Sequence, residues 1–110
     1  MTDRQDTIFS LATPPGRSAI AVIRISGPAA HAAPALFGAS CPAPGRFQVA
    51  RLLDDNGMPL DQVLILAMAG PWSSTGEDVV EIHTHGSMAV TMAALRMLGN
   101  SGGFRLAIAG

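Results

Sequence analysis

Two charged residues stand where the chain is otherwise apolar. Arg24 lies inside the run Ala19–Ser26 (AIAVIRIS), on the same strand face as Ile20 and Val22. A guanidinium cannot shed its charge, so in a covered strand it needs an anionic or hydrogen-bonding partner. That partner is either a structural carboxylate or a ligand; a third reading has the side chain reaching out to solvent from the strand end. Glu81 sits in the middle of Asp78–His85 (DVVEIHTH), sharing a face with Val79, His83 and His85 while Val80 and Ile82 take the other. It either faces solvent or reads a ligand. Two carboxylate oxygens match two adjacent N–H donors, as on the edge of a 2-aminopyrimidine.

The histidines come next. His83 and His85 are two apart on a strand and point the same way, which invites a metal reading. Two ligands fall short of the four that a structural zinc site wants, so cleft-lining or polar-face roles compete with it. His31 lies in an Ala-rich segment with no carboxylate close by in sequence. Cys41 sits in a Pro-rich loop with no neighbouring base, so no activated nucleophile is expected. Met88, Met92 and Met97 read as core filler. Trp72, on a loop, fits either a pocket or a subunit contact. No segment has the form GxxxxGK[ST], so no P-loop is present.

These residues need elements to hold them. Thr7–Ala12 predicts a short strand, followed by the loop Thr13–Ser18 (TPPGRS) with Arg17. Ala19–Ser26 predicts a strand apolar enough to be covered on both faces. Ser26-Gly27-Pro28 opens a helix over AAHAAPALFG, with Pro28 near its first position, a kink or restart at Pro34 and a stop at Gly38. Phe47–Leu53 and Leu60–Ala69 predict strands joined by a hairpin turn at Asp54-Asp55-Asn56-Gly57. Gly70–Gly76 forms a second loop, and Asp78–His85 the next strand. Ser87–Gly99 predicts an amphipathic helix with Met88, Met92, Leu95 and Leu98 on its apolar stripe. Phe104–Ala109 begins a last strand. The order β-β-α-β-β-β-α-β predicts an α+β fold: a mixed sheet of about six strands, with two to three helices on one side.

Composition agrees with one folded unit. The sequence has 110 residues, 48% of them hydrophobic and 14% charged, with 7 basic residues against 8 acidic. That argues against disorder and against a basic phosphate-binding face. All seven cations are arginines. The single cysteine excludes an internal disulfide. Neither a signal peptide nor a membrane span is evident, so a cytoplasmic location is expected.

Together the segments resemble a known family. DTI-x(3)-ATPPGR (Asp6 to Arg17), IRISG (Ile23 to Gly27), LDQ (Leu60 to Gln62), GP-x-S-x-TGEDV-x-EI (Gly70 to Ile82) and HG (His85-Gly86) resemble the N-terminal domain of the tRNA modification GTPases (MnmE/TrmE), in order and at similar spacing. The resemblance covers essentially the whole chain and implies a single N-terminal domain over residues 1–110. It implies a domain akin to the tetrahydrofolate-binding aminomethyltransferases that binds 5-formyl- or 5,10-methylene-tetrahydrofolate and forms the homodimer contact. It further implies a full-length GTP hydrolase that works with a flavin-dependent partner protein. Together they modify the wobble uridine of tRNA at its 5-position with an aminomethyl or carboxymethylaminomethyl group, the folate supplying the one-carbon unit. On this resemblance Arg24 and Glu81 are the folate contacts, and Arg17 is a further one for the glutamate tail. GTP, Mg and K would belong to a GTPase domain beyond Gly110, so this segment is not expected to be catalytic by itself.

Three positions depart from the family pattern: Ser18 and Ala19 stand where two glycines are common, and Ser87 where a third is. Two other classes compete with folate binding. One is an interaction module that only pairs larger subunits; the other, which lacks a nucleophile or an acid–base pair, is a stand-alone aminomethyl or formyl transferase.

Overall fold

The structure is a computed structural model, and it describes residues 6–12, 20–73, 75–85 and 87–107. The loop bearing Arg17, Gly86 of the His-Gly pair and the last three residues lie outside the described residues.

Six strands form one sheet in the order β3-β4-β5-β2-β1-β6. They are β1 (Thr7–Leu11), β2 (Ala21–Ser26), β3 (Phe47–Leu53), β4 (Pro59–Met68), β5 (Val79–Thr84) and β6 (Phe104–Leu106). All neighbours run antiparallel except β1 and β6, so the sheet is mixed, as the element order predicts. A 3-10 helix over Ala30–Phe37 follows β2, and an α-helix, α1 (Met88–Asn100), precedes β6.

The β3–β4 hairpin turns where the sequence places it. Asp54 accepts at one carboxylate oxygen from the backbone N–H of Asn56 and Met58, at 2.8 and 2.9 Å. Gly57 takes φ +78°, which only glycine adopts without penalty.

Both helical elements pack on the same side. Ala30, Ala33 and Phe37 join Ala94, Met97 and Leu98 in one core with Ile23, Ile25, Ile65, Ala67, Val80 and Ile82 of the sheet. Two expectations change here. The segment with Pro34 is a 3-10 helix throughout rather than a kinked α-helix, and Pro34 is buried in it. Its buried residues are Ala30, Ala33, Pro34 and Phe37. It ends on Gly38, at φ +75°. In α1 the buried positions are Thr91, Ala94, Met97 and Leu98, while Met88 and Met92 are exposed. The buried stripe runs through Thr91, Ala94 and Leu98, so of the expected stripe Leu98 is buried and Leu95 partly so, and of the three methionines only Met97 is core filler.

Among the described residues no helix packs on the sheet's other face. Ile23 and Ile25 of β2 are fully buried, but Arg24 between them is not. Among the described residues, then, β2 is fully covered on one face only, where both were expected to be. On the open face the register aligns Phe47, Leu66, Glu81, Arg24 and Ser10 in one row across five strands. Val49, Leu64, His83 and Val22 make the next row.

Candidate functional site

The site follows from that register. Arg24 on β2 and Glu81 on β5 are directly opposed antiparallel partners, so their side chains leave the sheet side by side. Nε and Nη2 of Arg24 both donate to Oε2 of Glu81, at 2.9 and 2.8 Å. Nε2 of His83, two residues along β5, lies 3.1 Å from Oε1. A carboxylate only accepts, so His83 carries its proton on Nε2. Each Glu81 oxygen is thus held by a different donor.

Burial pushes the Glu81 carboxyl up, but the hydrogen bonds from Arg24 and His83, with the charge they bring, outweigh it and hold the group below the usual carboxylate range. Glu81 therefore presents as an ionised acceptor at neutral pH. The Glu81 side chain is 15% exposed and that of Arg24 is 40% exposed, so a ligand can reach both.

Along the strands, the loop before β5 flanks this pair on the side of Ser26. Ser26 Oγ donates to Glu77 Oε1 at 3.1 Å and lies 2.8 Å from Thr75 Oγ1. The backbone N–H of Gly70 donates to Asp78 Oδ1, and that of Gly27 to the Asp78 carbonyl. The loop is thereby stitched to the end of β2. Gly76 has φ +81° and open space at the Cβ position, so its glycine serves the backbone turn rather than a close approach.

The other end opens into a groove of about 310 Å³. Ile20, Val49, Leu64 and Gln62 line it together with His83 and His85. Arg24 and Glu81 are not among its walls; His83 connects the two regions, touching Glu81 with Nε2 and the groove with its ring. The size sits at the lower end of small-molecule sites, roughly 300 Å³.

His85 lies beyond the end of β5, not on it. Its Nδ1 is 2.8 Å from Oδ1 of Asp61, and its backbone N–H donates to Oδ2 at 3.0 Å. The sequence does not reveal this pairing: Asp61 stands in the LDQ segment, 24 residues before His85, with nothing local to link the two. His31 likewise acquires partners from afar, with Nε2 donating to the Met68 carbonyl at 2.9 Å and Nδ1 3.9 Å from Asp78. Among the described residues no group of three or more His, Cys, Asp or Glu side chains is placed to hold a metal ion. Cys41 is half-buried, and burial pushes its thiol up, which disfavours a thiolate. Trp72 is exposed on its loop, beside Pro44 and Met68. No described helix is long and apolar enough to cross a membrane.

Comparison with known proteins agrees with the resemblance read from the motifs. Residues 7–110 match the family model described as GTP-binding protein TrmE N-terminus. The chain is 50% identical over 103 residues to a tRNA modification GTPase MnmE of Ruegeria pomeroyi, covering 93% of this chain and 24% of that protein. It is 48% identical over 97 residues to its namesake in Phenylobacterium zucineum, covering 88% and 22%. With that of Caulobacter vibrioides the identity is 49% over 105 residues, covering 96% and 23%. The chain thus spans about a quarter of the length of these curated relatives.

Proposed function

The chain belongs to the TrmE N-terminal family, and on that premise we propose that it is a tetrahydrofolate-binding, self-associating domain of a GTPase that modifies the wobble uridine of tRNA. The observation that carries the ligand reading is the Arg24–Glu81–His83 arrangement. Glu81 is ionised, fixed in orientation and partly exposed, so it can accept from the 2-amino and ring N–H groups of a pterin. Nη1 of Arg24 makes no bond among the described residues and can donate to the adjacent pterin carbonyl. An acceptor beside a donor is the complement of that edge, so the residues present fit a 5-formyl- or 5,10-methylene-tetrahydrofolate. When bound, the folate supplies a one-carbon unit. What this chain contributes is binding and orientation.

The uncovered sheet face supports the self-association part. Phe47 is 67% exposed and Val49 64% exposed, both on the edge strand β3. Large apolar side chains side by side on an open face mark an interaction surface. The same observation favours a second reading, a pairing module with no ligand.

The remaining parts of the proposal concern the longer protein: GTP hydrolysis with Mg and K, the flavin-dependent partner, tRNA itself and a cytoplasmic place of work. Isothermal titration of the chain with 5-formyltetrahydrofolate tests the ligand reading. Saturable heat supports it. A dimer by light scattering with no heat at any concentration leaves the pairing module.

A further inference from the structure

Three histidines are present, and two of them spend Nε2 on protein acceptors: His31 on the Met68 carbonyl and His83 on Glu81. His85 is built the other way round. Its Nδ1 faces Oδ1 of Asp61 at 2.8 Å, and a carboxylate only accepts, so the proton sits on Nδ1. Asp61 is itself held, since Oδ1 also accepts from the backbone N–H of Gln62 at 2.9 Å and Oδ2 from that of His85. The Asp61 side chain is 14% exposed and that of His85 is 73% exposed. This leaves Nε2 of His85 with a lone pair and no partner among the described residues, on a ring that lines the groove.

We propose that Asp61 and His85 form a proton-transfer dyad serving a ligand in this groove. Nε2 takes a proton from an N–H or O–H group of the ligand: that bond breaks, its electron pair stays on the ligand, and an Nε2–H bond forms. Asp61 offsets the positive charge that develops on the ring, and the proton returns by the reverse step. A carboxylate behind an imidazole fixes its tautomer and stabilises its protonated form, which is what a general base requires. The other titratable wall of the groove is His83, engaged with Glu81, and Arg51 is the cross-strand neighbour of Gln62 on β3. The ligand class is a molecule with an acidic or activated N–H or O–H and an apolar body that fits against Ile20, Val49 and Leu64. The dyad itself does not depend on folate binding; only the identity of the groove's occupant rests on that reading.

Nitrogen-15 NMR of the imidazoles reads the tautomers directly. The expected result is Nδ1–H for His85 and Nε2–H for His83. An Nε2–H tautomer at His85 overturns the dyad. Diethyl pyrocarbonate, which attacks the unprotonated nitrogen, then reads reactivity residue by residue. His85 should react first, and roughly fivefold to tenfold more slowly in Asp61→Asn, where charge assistance is lost. Equal rates in the two proteins would mean that exposure alone sets the reactivity, and the proposal fails. In a chain that calorimetry shows to be saturated with 5-formyltetrahydrofolate, His85 should be protected; undiminished reactivity there removes this ligand from the groove. Absence of folate binding overturns the folate reading and leaves the first two readouts to decide the dyad.

Discussion

Arg24 grips Glu81 by a single oxygen. Nε and Nη2 converge on Oε2, and Oε1 is left to His83. A symmetric two-oxygen clasp would occupy the whole carboxylate edge. This geometry instead fixes the plane of the carboxylate while part of it still faces outward, which is the property a ligand-reading acid needs. The partners come from adjacent strands, and the β2–β5 register brings their side chains side by side.

Stability in acid should reveal the pair. Glu81 titrates lower in the folded chain than in the unfolded one, so its ionised form favours folding. That contribution is complete above the ordinary glutamate value of about 4.3 and is lost as pH falls through the folded-state value. Glu81→Gln removes it. The variant should be less stable than the parent at neutral pH, and the gap should close on acidification in urea titrations taken from about pH 6 down to about pH 3.

His83 should act through Glu81. His83→Ala removes the donor to Oε1 and should weaken 5-formyltetrahydrofolate binding by about 0.5–1.5 kcal/mol, the size of one ordinary hydrogen bond. His83→Gln, whose amide can donate to the same oxygen, should recover most of that loss in calorimetry. If both variants bind alike, His83 does not position the acid.

The open face predicts where association resides. Phe47→Asp and Val49→Asp put charge on exposed edge-strand positions that contribute nothing to this chain's own core. Both should shift the chain from dimer to monomer in light scattering, with little change in unfolding midpoint. A dimer unaffected by either places the contact elsewhere.

The buried face of α1 carries one hydroxyl without a partner among the described residues. Thr91 Oγ1 is buried, and no hydrogen-bond partner is found for it among the described residues. Thr91→Val keeps the shape and removes the unsatisfied hydroxyl, so it should stabilise the chain by about 1 kcal/mol. Chemical denaturation measures this directly.

Much of the architecture was legible from local signals. The Asp54–Gly57 turn, the Ser87 helix start and the alternation in β5 each depend on residues near in sequence, and β1 to β5 each lie within a residue or two of their expected place, while β6 ends at Leu106, short of the expected Phe104–Ala109. Ser87 also shows how the cap works, its Oγ accepting from the backbone N–H of Val90. What was not legible depends on packing. The 3-10 helix around Pro34 buries Ala30, Ala33, Pro34 and Phe37, a packing that local residue preference does not announce. The inward turn of Thr91 and Ala94, in place of Met88 and Met92, is set by how α1 sits against the sheet. The site shows the same division. Charges inside apolar strands singled out Arg24 and Glu81, but their meeting is a matter of register between strands 57 residues apart. Asp61 carried no local sign that it would hold His85, because a partner 24 residues away is chosen by the sheet and not by spacing.

The central claim is that Arg24 and Glu81 act as one ligand-reading unit, and a double-variant cycle measured by calorimetry with 5-formyltetrahydrofolate tests it most directly. Arg24→Ala and Glu81→Ala should each weaken binding by about 1.5–3 kcal/mol, the worth of a charged hydrogen bond, and the double variant should lose clearly less than the two losses combined. Parent-like affinity in either single variant, with the fold intact by circular dichroism, would contradict it.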